Sequence, residues 1–506
     1  MPERVCIIGA GIAGLVTAKV LQEDGFDVVV FEKQPEIGGV WSSGRTYPGL
    51  RANNSRETYA FADLPYPEGT EAFPTAEQVR KYLAAYTDQF GLRSLIRLST
   101  EVISVTRRPE CGFHVVVRPD DPGAIKEEND FDFVVVCAGV FSEPHMPRFD
   151  GQDLFRGRIV HSSQLIDPAV ITGKRVIVVG AGKSALDCAG WAGRHAHACT
   201  LVFRSPHWMV PRYGLGRIRT DWVILTRFVE LFLRYHRQSR LEAFLHGPAQ
   251  GVVRLWWAIW SAIIRRSLRI PRAMVPDAGL PAGFENIGIG GEFYDALRGG
   301  RLVVRRGRIE RFVRADTVEL DTKEQVTADL VVLATGWRQR LPFLDPVLLS
   351  RVQRDGRLHL YRHILPPREP RLGFIGYASS SACQLTSEIA AHWLSQNFRD
   401  ELELPDPREM DREIVRVLDW AKEVLPARAE GYFIGPYVAH YLDDLLGDMG
   451  VPRRRARNLL AEYFAPLWPS RYRNLSEQRR GVRPKQTVRS SADSGSLEEH
   501  SLSCAP

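Results

Sequence analysis

The strongest constraint on the fold comes from two segments in which a run of apolar, β-branched residues ends directly in a glycine-rich turn. Residues 5–8 precede G-A-G-I-A-G at positions 9–14, and residues 176–179 precede G-A-G-K-S-A at positions 180–185. Fully apolar strands are typical of parallel sheets that are covered by helices on both faces. A glycine turn between such a strand and a helix is typical of a phosphate-binding turn. The sequence therefore predicts an α/β fold with two Rossmann-like dinucleotide-binding domains.

The glycines of the first turn have separate predicted roles. Gly9 permits the tight turn, Gly11 lets the backbone approach a pyrophosphate, and Gly14 allows the helix to pack closely on the strand. The free N–H groups at the helix N-terminus favour the anion. Glu32 ends the next strand, where a carboxylate accepts hydrogen bonds from ribose hydroxyls and repels a 2′-phosphate.

The second turn differs from the first in its charge. It keeps Gly180 and Gly182, the two glycines that approach the phosphates, and it carries Lys183 and Ser184 within the turn. The following strand ends in Arg204 rather than in an acid. A guanidinium pairs with a 2′-phosphate through charge-assisted hydrogen bonds. We therefore predict that this domain binds NADPH in preference to NADH.

The length and the changes in composition along the chain predict its domain organisation. A chain of 506 residues exceeds what one core usually holds. We predict that the first dinucleotide-binding domain consists of residues 1–165 and 318–400, with the second domain, 166–317, between them. The apolar runs near 134 and 330 are predicted to return the chain to the first sheet. Further predicted segments are a helical insertion at about 205–300, a C-terminal helical region at 401–475 and a disordered tail at 476–506.

The cysteine pattern and the net charge indicate the cellular compartment and the kinds of binding partner that we expect. The chain has seven scattered cysteines, without a C-x-x-C pair or a His/Cys cluster at metal spacing, so we expect a reducing, cytoplasmic setting and no metal site. The net charge of +7 suits phosphate-bearing cofactors, anionic lipid or nucleic acid, and does not choose among them. We expect no nucleic-acid partner, since no other feature points to one.

The aromatic and basic stretch 222–269 leaves three interpretations open. It can form core packing and the wall of a substrate channel, which we favour, or the face of a homo-oligomer, or a helix that lies on a membrane surface. Its most apolar run, residues 255–264, is about half as long as a membrane-spanning helix requires. We therefore expect no transmembrane segment, while peripheral membrane association stays open.

Further short motifs lie outside the two turns. They are Gly38-Gly39-Val40-Trp41, Tyr47-Pro48-Gly49, the spacing F-x-G-x-x-x-H at Phe155, Gly157 and His161, Ala334-Thr335-Gly336-Trp337, and Gly373-Phe374-Ile375-Gly376. Together they resemble the motifs of flavin-containing monooxygenases and their Baeyer–Villiger relatives. The family's F-x-G-x-x-x-H motif, its fingerprint, usually ends in an aromatic residue four positions after the histidine, where this chain has Leu165. The resemblance implies that the first domain binds FAD, with Gly39, Trp41 and Gly376 near it. It also implies that Thr335 and Gly336 form a linker at the cofactors and that His161 is a structural hinge.

The resemblance also implies a reaction. In such enzymes NADPH reduces FAD, and the reduced flavin reacts with O2 to give a C4a-(hydro)peroxyflavin, which the protein must shield from water. Asn53 falls where flavin-containing monooxygenases carry an Asn beside the oxygenated flavin and Baeyer–Villiger enzymes usually carry Asp. An uncharged amide suits a neutral hydroperoxide that transfers oxygen to nitrogen or sulfur. We therefore predict an NADPH- and O2-dependent monooxygenase of small molecules, with Asn53 as its catalytic residue.

Other functions stay open at this point. The nearest alternative is Baeyer–Villiger oxidation of a ketone to an ester or lactone. It stays open because Leu165 departs from the usual aromatic residue of the family motif. A non-oxygenating flavin-binding protein or a reductase is a more distant alternative, and the absence of a C-x-x-C pair opposes a disulfide reductase. Asn53 can also have a purely structural role, in which its side chain only stabilises a turn of the backbone.

Overall fold

Two parallel five-stranded sheets organise the computed structural model. The structure describes residues 2–121, 123, 125–214, 217–281, 284–289, 291–425 and 433–481. The first sheet has the strand order Leu372–Phe374, Phe133–Val136, Arg4–Ile8, Asp27–Phe31 and Ile96–Arg97. The second has the order Leu302–Arg306, Ala198–Phe203, Arg175–Val179, Leu330–Leu333 and Arg158–His161. The predicted α/β fold with two Rossmann-like units is therefore confirmed.

The helices and the smaller sheets surround these two sheets. The helices are α1 (Ile12–Glu23), α2 (Ala76–Gln89), α3 (Lys183–His195), α4 (Asp221–Ile224), α5 (Arg227–Glu230), α6 (Arg240–His246), α7 (Gln250–Leu268), α8 (Glu292–Arg298), α9 (Pro346–Val352), α10 (Cys383–Phe398), α11 (Pro407–Val424), α12 (Val438–Asp448), α13 (Leu459–Phe464) and α14 (Leu475–Arg480). The three-stranded antiparallel sheets are Thr100–Arg107 with Phe113–Pro119 and Glu127–Phe131, and Ile309–Arg314 with Thr317–Leu320 and Gln325–Thr327. Two-stranded pairs join Trp208–Pro211 to Phe284–Ile289, Tyr213–Gly214 to Ile218–Arg219, Glu143–Pro144 to Trp337–Arg338, Gln353–Arg354 to Arg357–Leu358, and Ser379–Ser380 to Phe433–Gly435.

Small residues let the helices pack closely in both units. Helix α1 is buried from Ala13 to Leu21 and packs against α10. Helix α3 packs against α8, where a Cβ on Gly190 would lie 2.9 Å from the Cα of Phe293. The continuous apolar strands of each sheet are thus covered by helices, as their sequence pattern requires.

The prediction that the run near 330 returns the chain to the first sheet is wrong. Leu330–Leu333 pairs in parallel with Arg175–Val179 in the second sheet, and Arg158–His161 pairs along its other edge. The predicted boundaries at 165 and 318 therefore assign two strands of the second sheet to the first domain. The run near 134 does pair with Arg4–Ile8 in the first sheet. A strand buried on both faces fits any parallel sheet, so its composition does not identify its neighbour.

Helix α7 presents two different faces within the predicted insertion. Ile264 and Leu268 are buried in the core of the second unit, whereas Leu255 is 62% exposed and Ile259 is 49% exposed. In the described part of the chain, no helix is both long and apolar enough to cross a membrane. A membrane contact or an oligomer face at residues 222–269 stays a prediction.

The predicted start of the disordered tail at 476 is wrong, because this position lies inside α14. Arg479 is fully buried there, and its guanidinium forms an ion pair with the buried carboxylate of Asp24 at the end of α1. Burial by itself would raise the pKa of Asp24, but hydrogen bonds from Ser395, Arg480 and Arg479 hold it below its ordinary value. A hydropathy pattern does not reveal a helix that docks through an ion pair. Residues 482–506 lie outside the described residues.

We predict that Arg479→Met lowers the free energy of unfolding by about 3 kcal/mol, because it leaves a buried carboxylate without its buried partner. Arg480→Met is the matched control. Arg480 also contacts Asp24, at 2.7 Å, but its side chain is 46% exposed, so its removal should cost less than about 1 kcal/mol. Urea unfolding of the two purified holoproteins measures both values. Equal losses would contradict the importance of the buried pair.

Candidate active site

The first glycine turn holds the N-terminus of α1 against the strand ends of the first sheet. A Cβ on Gly14 would lie 1.8 Å from the carbonyl oxygen of Gly9, so position 14 admits only glycine. Gly9 has a φ of +107°, and a Cβ there would lie 2.7 Å from the carbonyl oxygen of Cys137. Gly11 has an ordinary φ of −81°, and the nearest atom to a Cβ there would be 3.6 Å away. The fold therefore requires Gly9 and Gly14, whereas Gly11 leaves space beside the helix terminus.

Other backbone segments converge on the same helix terminus and form a cradle. The backbone of Gly39 faces Gly11, since a Cβ on Gly39 would lie 3.2 Å from the Cα of Gly11. The amide of Gly38 donates to the carbonyl of Ala10 at 2.9 Å. A Cβ on Gly376 would meet the first turn of α1 at 3.0 Å. The N-cap residue of α1 is Gly11, which has no side chain to cap the first N–H groups of the helix. This glycine-lined cradle fits a pyrophosphate.

Glu32 lies next to this cradle and is buried. One carboxylate oxygen accepts a hydrogen bond from the amide of Ala10 at 2.7 Å, and the other accepts from the amide of Gln34 at 2.9 Å. Glu32 therefore fixes the turn itself. Each oxygen has a second lone pair for a ribose hydroxyl, in keeping with the role predicted for this residue.

Trp41 is placed inside the first core. Its side chain is buried, and its indole N–H donates to the hydroxyl of Tyr59 at 3.1 Å. Burial raises the pKa of Tyr59 well above its ordinary value, so this hydroxyl remains protonated. The two rings pack edge to face in the first core, with their centroids 5.8 Å apart. Direct contact of Trp41 with a flavin stays a prediction.

The second turn repeats this geometry at the N-terminus of α3. A Cβ on Gly180 would lie 2.4 Å from the carbonyl oxygen of Ala334, and Gly182 caps the helix without a side-chain hydrogen bond. Ser184 is partly exposed in the first turn of α3. Amides at the N-terminus of a helix favour an anion, and pyrophosphate binding at this turn stays a prediction.

Lys183 has a partner that the sequence analysis missed. Its side chain is 9% exposed and forms an ion pair with Asp187, one turn further along α3. The hydroxyl of Tyr47 donates to the same carboxylate oxygen of Asp187 at 2.9 Å. This contact joins the segment after the first turn to the helix of the second. Phosphate binding by Lys183 stays a prediction, and it would compete with this ion pair.

Arg204 stands directly after the strand Ala198–Phe203 and is exposed. Its carbonyl oxygen accepts from Arg306 at 3.2 Å, and the guanidinium of Arg306 is itself paired with Asp277. The strand end therefore presents the Arg204 side chain to solvent beside the second turn. Pairing of Arg204 with a 2′-phosphate stays a prediction.

His161 connects the second sheet to the predicted linker. Its Nδ1 accepts from the amide of Ser163 at 3.3 Å, so its proton is assigned to Nε2, which lies 3.1 Å from the carbonyl oxygen of Gly336. Burial lowers the pKa of His161 and keeps the ring neutral. Thr335 donates from its hydroxyl to the carbonyl of His145. These side chains hold the linker in place, and direct cofactor contacts of Thr335 and Gly336 stay predictions.

The structure explains two residues of the F-x-G-x-x-x-H motif region that precedes the second turn, Gly157 and Leu165. A Cβ on Gly157 would lie 2.4 Å from the ring of Phe155 and 2.5 Å from the carbonyl oxygen of Asp329, so this position requires glycine. Leu165 is 1% exposed and packs in the core of the second unit. An aliphatic side chain therefore fills the place of the usual aromatic residue without exposure.

The loop that carries Asn53 is fixed by its neighbours. Asn53 is partly exposed, whereas Asn54 is fully buried and donates from its amide to the carbonyl of Ser381 at 2.6 Å. Ser55 donates from both its amide and its hydroxyl to the carboxylate of Asp221. Sequence reasoning missed Asp221, because no local pattern links it to a loop that lies 166 residues away.

No group of three or more His, Cys, Asp or Glu side chains within the described ranges could hold a metal ion. The fold and the two glycine-lined helix termini define a protein that binds two nucleotides. The chain matches the family model described as "Flavin-binding monooxygenase-like" over residues 2–460, and it belongs to this family.

Relatives and solved structures agree with this assignment. The chain is 28% identical to the probable flavin-containing monooxygenase 1 of Arabidopsis thaliana, over 94% of this chain and 97% of that protein. It is also 28% identical to flavin-containing monooxygenase 1 of Rattus norvegicus, over 94% of this chain and 89% of that protein.

Two solved structures share the fold. The S-allyl-L-cysteine S-oxygenase of Allium sativum matches with a TM-score of 0.63 and 22% identity, covering 95% of this chain and 93% of that one. The cyclohexanone monooxygenase of Rhodococcus sp. Phi1, solved with NADP+, matches with a TM-score of 0.63 and 19% identity, covering 88% of this chain and 97% of that one. The predicted class is confirmed: the protein is an FAD-dependent monooxygenase that uses NADPH.

We predict that Gly11→Ala folds but loses FAD. The backbone at Gly11 accepts alanine, while the added methyl group occupies the space through which a pyrophosphate would approach the helix. A loss of about 1.4 kcal/mol or more would weaken FAD binding about tenfold or more. Gly251→Ala, on α7 in open space, is the control and should keep its flavin. Circular dichroism and flavin content per protein measure the two effects. Full flavin content in folded Gly11→Ala would disprove the assigned site.

Proposed function

We propose that the protein transfers one oxygen atom from O2 to a nitrogen or sulfur atom of a small organic molecule, beside Asn53. The observation that carries the proposal is the charge distribution of the Asn53 loop. An uncharged amide stands at the predicted oxygen-transfer position, and a buried carboxylate, Asp221, lies behind the same loop.

The arginines that flank Asn53 in the sequence already have acidic partners. Arg51 forms an ion pair with Glu71, and Arg56 contacts Glu57 at 3.2 Å. Attack on a ketone needs a negatively charged oxygen donor, which a buried carboxylate disfavours and a nearby cation would favour. Oxygen transfer to an amine or thioether needs a neutral, electrophilic donor instead. The charges around the loop therefore support heteroatom oxygenation over Baeyer–Villiger oxidation.

Bound FAD supplies the electrons that activate O2 after reduction by NADPH. The amide N–H of Asn53 is assigned the role of holding the reacting oxygen by a hydrogen bond. Asn54 fixes the loop to the start of α10 through Ser381. We assign the buried rings of Trp41 and Tyr59 the role of excluding water from the flavin.

We also assign the 2′-phosphate of NADPH to Arg204. The assignment rests on its exposed side chain at the end of the strand after the second turn. Glu32 occupies the corresponding strand end of the first unit, where a carboxylate would repel such a phosphate. The two strand ends thus carry opposite charges that suit two different nucleotides.

Arg204→Ala should raise the KM for NADPH about 10- to 100-fold, the equivalent of losing about 1.5–3 kcal/mol of charge-assisted hydrogen bonding. The KM for NADH should stay nearly unchanged, because NADH lacks the phosphate. Arg314→Ala removes another exposed arginine, on the separate strand Ile309–Arg314, and serves as the control. Steady-state NADPH and NADH oxidation gives these values. Equal losses for both coenzymes would contradict the role of Arg204.

Asn53→Ala should reduce its flavin with NADPH at the wild-type rate but release hydrogen peroxide in place of product. Loss of one hydrogen bond in a dry site, about 1–3 kcal/mol, would speed the unproductive release about tenfold or more. The measurements are anaerobic flavin reduction, peroxide formed per NADPH, and mass spectrometry of products from 18O2 with amines, thioethers and ketones. Asn53→Asp should also uncouple, since it adds a second negative charge near Asp221.

Wild-type coupling in both Asn53 variants would reduce Asn53 to a turn residue. A labelled ester or lactone as the sole product of the wild-type enzyme would replace heteroatom oxygenation by Baeyer–Villiger oxidation.

A further inference from the structure

We infer that Asp221, at the start of α4 in the helical insertion, is a positioning residue for Asn53. The inference rests on the proposed function, because it gives Asp221 its role through the loop that carries Asn53. The fixed partner of that loop is one carboxylate oxygen of Asp221.

Three donors converge on this single oxygen, Oδ2. The amide of Ser55 lies 2.9 Å from it, the hydroxyl of Ser55 lies 2.7 Å from it, and the hydroxyl of Thr58 lies 2.7 Å from it. Ser55, Thr58 and Asp221 are each at most 3% exposed. Hydrogen bonds to a carboxylate are shorter and stronger than those between neutral groups, and burial strengthens them further. Asp221 therefore fixes the backbone of Ser55 and the side chains of Ser55 and Thr58.

Residues on both sides of Asp221 contact the same segment. The indole N–H of Trp222 donates to the hydroxyl of Ser55 at 3.0 Å. The guanidinium of Arg219 pairs with Glu57 at 2.5 Å and lies 4.7 Å from the centre of the Trp222 ring. Segment 219–222 thus binds segment 55–58 through several independent hydrogen bonds and an ion pair.

The position of Asn53 depends on the contacts between segments 219–222 and 55–58, because Asn53 lies two residues before Ser55. Asn54 is held by Ser381 on one side, and the amide of Ser55 is held by Asp221 on the other. The two residues that follow Asn53 in the chain are therefore both held in place, which limits the movement of Asn53. A group that donates a hydrogen bond to a reacting atom must be held within a few tenths of an ångström, and residues around it supply that constraint.

The two oxygens of Asp221 allow a test that separates geometry from charge. Oδ1 is buried and accepts no hydrogen bond from the described residues, so all three bonds are made by Oδ2. In Asp221→Asn the amide oxygen can take the place of Oδ2 and keep all three bonds while the charge is lost. In Asp221→Ala both the bonds and the charge are lost.

The experiment compares these two variants with wild type as FAD-loaded, full-length protein. It measures the rate of anaerobic flavin reduction by NADPH and the peroxide released per NADPH with an amine or thioether substrate. Asp221→Ala is expected to keep the wild-type reduction rate and to release peroxide about tenfold faster. Asp221→Asn is expected to restore coupling to within about twofold of wild type. A purely structural loss would also lower flavin content and the reduction rate.

Ser55→Ala and Thr58→Val each remove one donor and leave Asp221 in place, so they test the inference even if Asp221→Ala does not fold. Each should cause partial uncoupling. Wild-type coupling in both, or in Asp221→Ala, would overturn the inference, and so would equal uncoupling in Asp221→Ala and Asp221→Asn. Asn53→Ala is measured in parallel. If Asn53→Ala alone uncouples, Asp221 loses its role while the proposed function stands; if Asn53→Ala and Asn53→Asp both stay coupled, the role proposed for Asn53 fails and Asp221 has no catalytic group to position.

Discussion

The contact on which the rest of the structure depends is the close approach of Gly14 to Gly9, where a Cβ would lie 1.8 Å from a carbonyl oxygen. It brings the N-terminus of α1 against the strand ends of the first sheet. The segments at Gly39 and Gly376 can then reach the same point and complete the cradle. Helix α1 lies buried between this sheet and α10, so a substitution at Gly14 would disturb both the fold and the cofactor site.

The two nucleotide units are joined by contacts that need no exposed charge. Tyr47, in the segment after the first turn, donates to Asp187 on α3, and Ser55 donates to Asp221 in the helical insertion. In an enzyme that passes hydride between two bound nucleotides, the relative position of the units must be held firmly. Buried hydrogen bonds of neutral donors provide this, because water does not compete for them.

The sequence predicted the features that depend on neighbours in the chain. Strand, turn and helix follow one another at both glycine turns, so their type and order were visible in 9–14 and 180–185. The assignment of Leu330–Leu333 to the first sheet failed, because an apolar strand carries no record of its pairing partner. The start of the tail failed for a related reason: α14 docks through the Arg479–Asp24 ion pair, and a charged residue in a polar segment gives no sign of burial.

The sequence by itself determined the two nucleotide-binding units, since strand, glycine turn and helix follow one another along the chain at both sites. The short motifs further along the chain indicated the family by resemblance. Tertiary structure alone decided how the predicted oxygen-transfer loop is held. Ser55 and Asp221 are 166 residues apart, and they meet only because the insertion folds back over the first unit. It also decided that Tyr47 donates to Asp187 on α3, a contact between the two units. A hydrogen bond acts over about 3 Å, so the partners of a side chain distant in sequence are set by the folded chain and not by spacing along it.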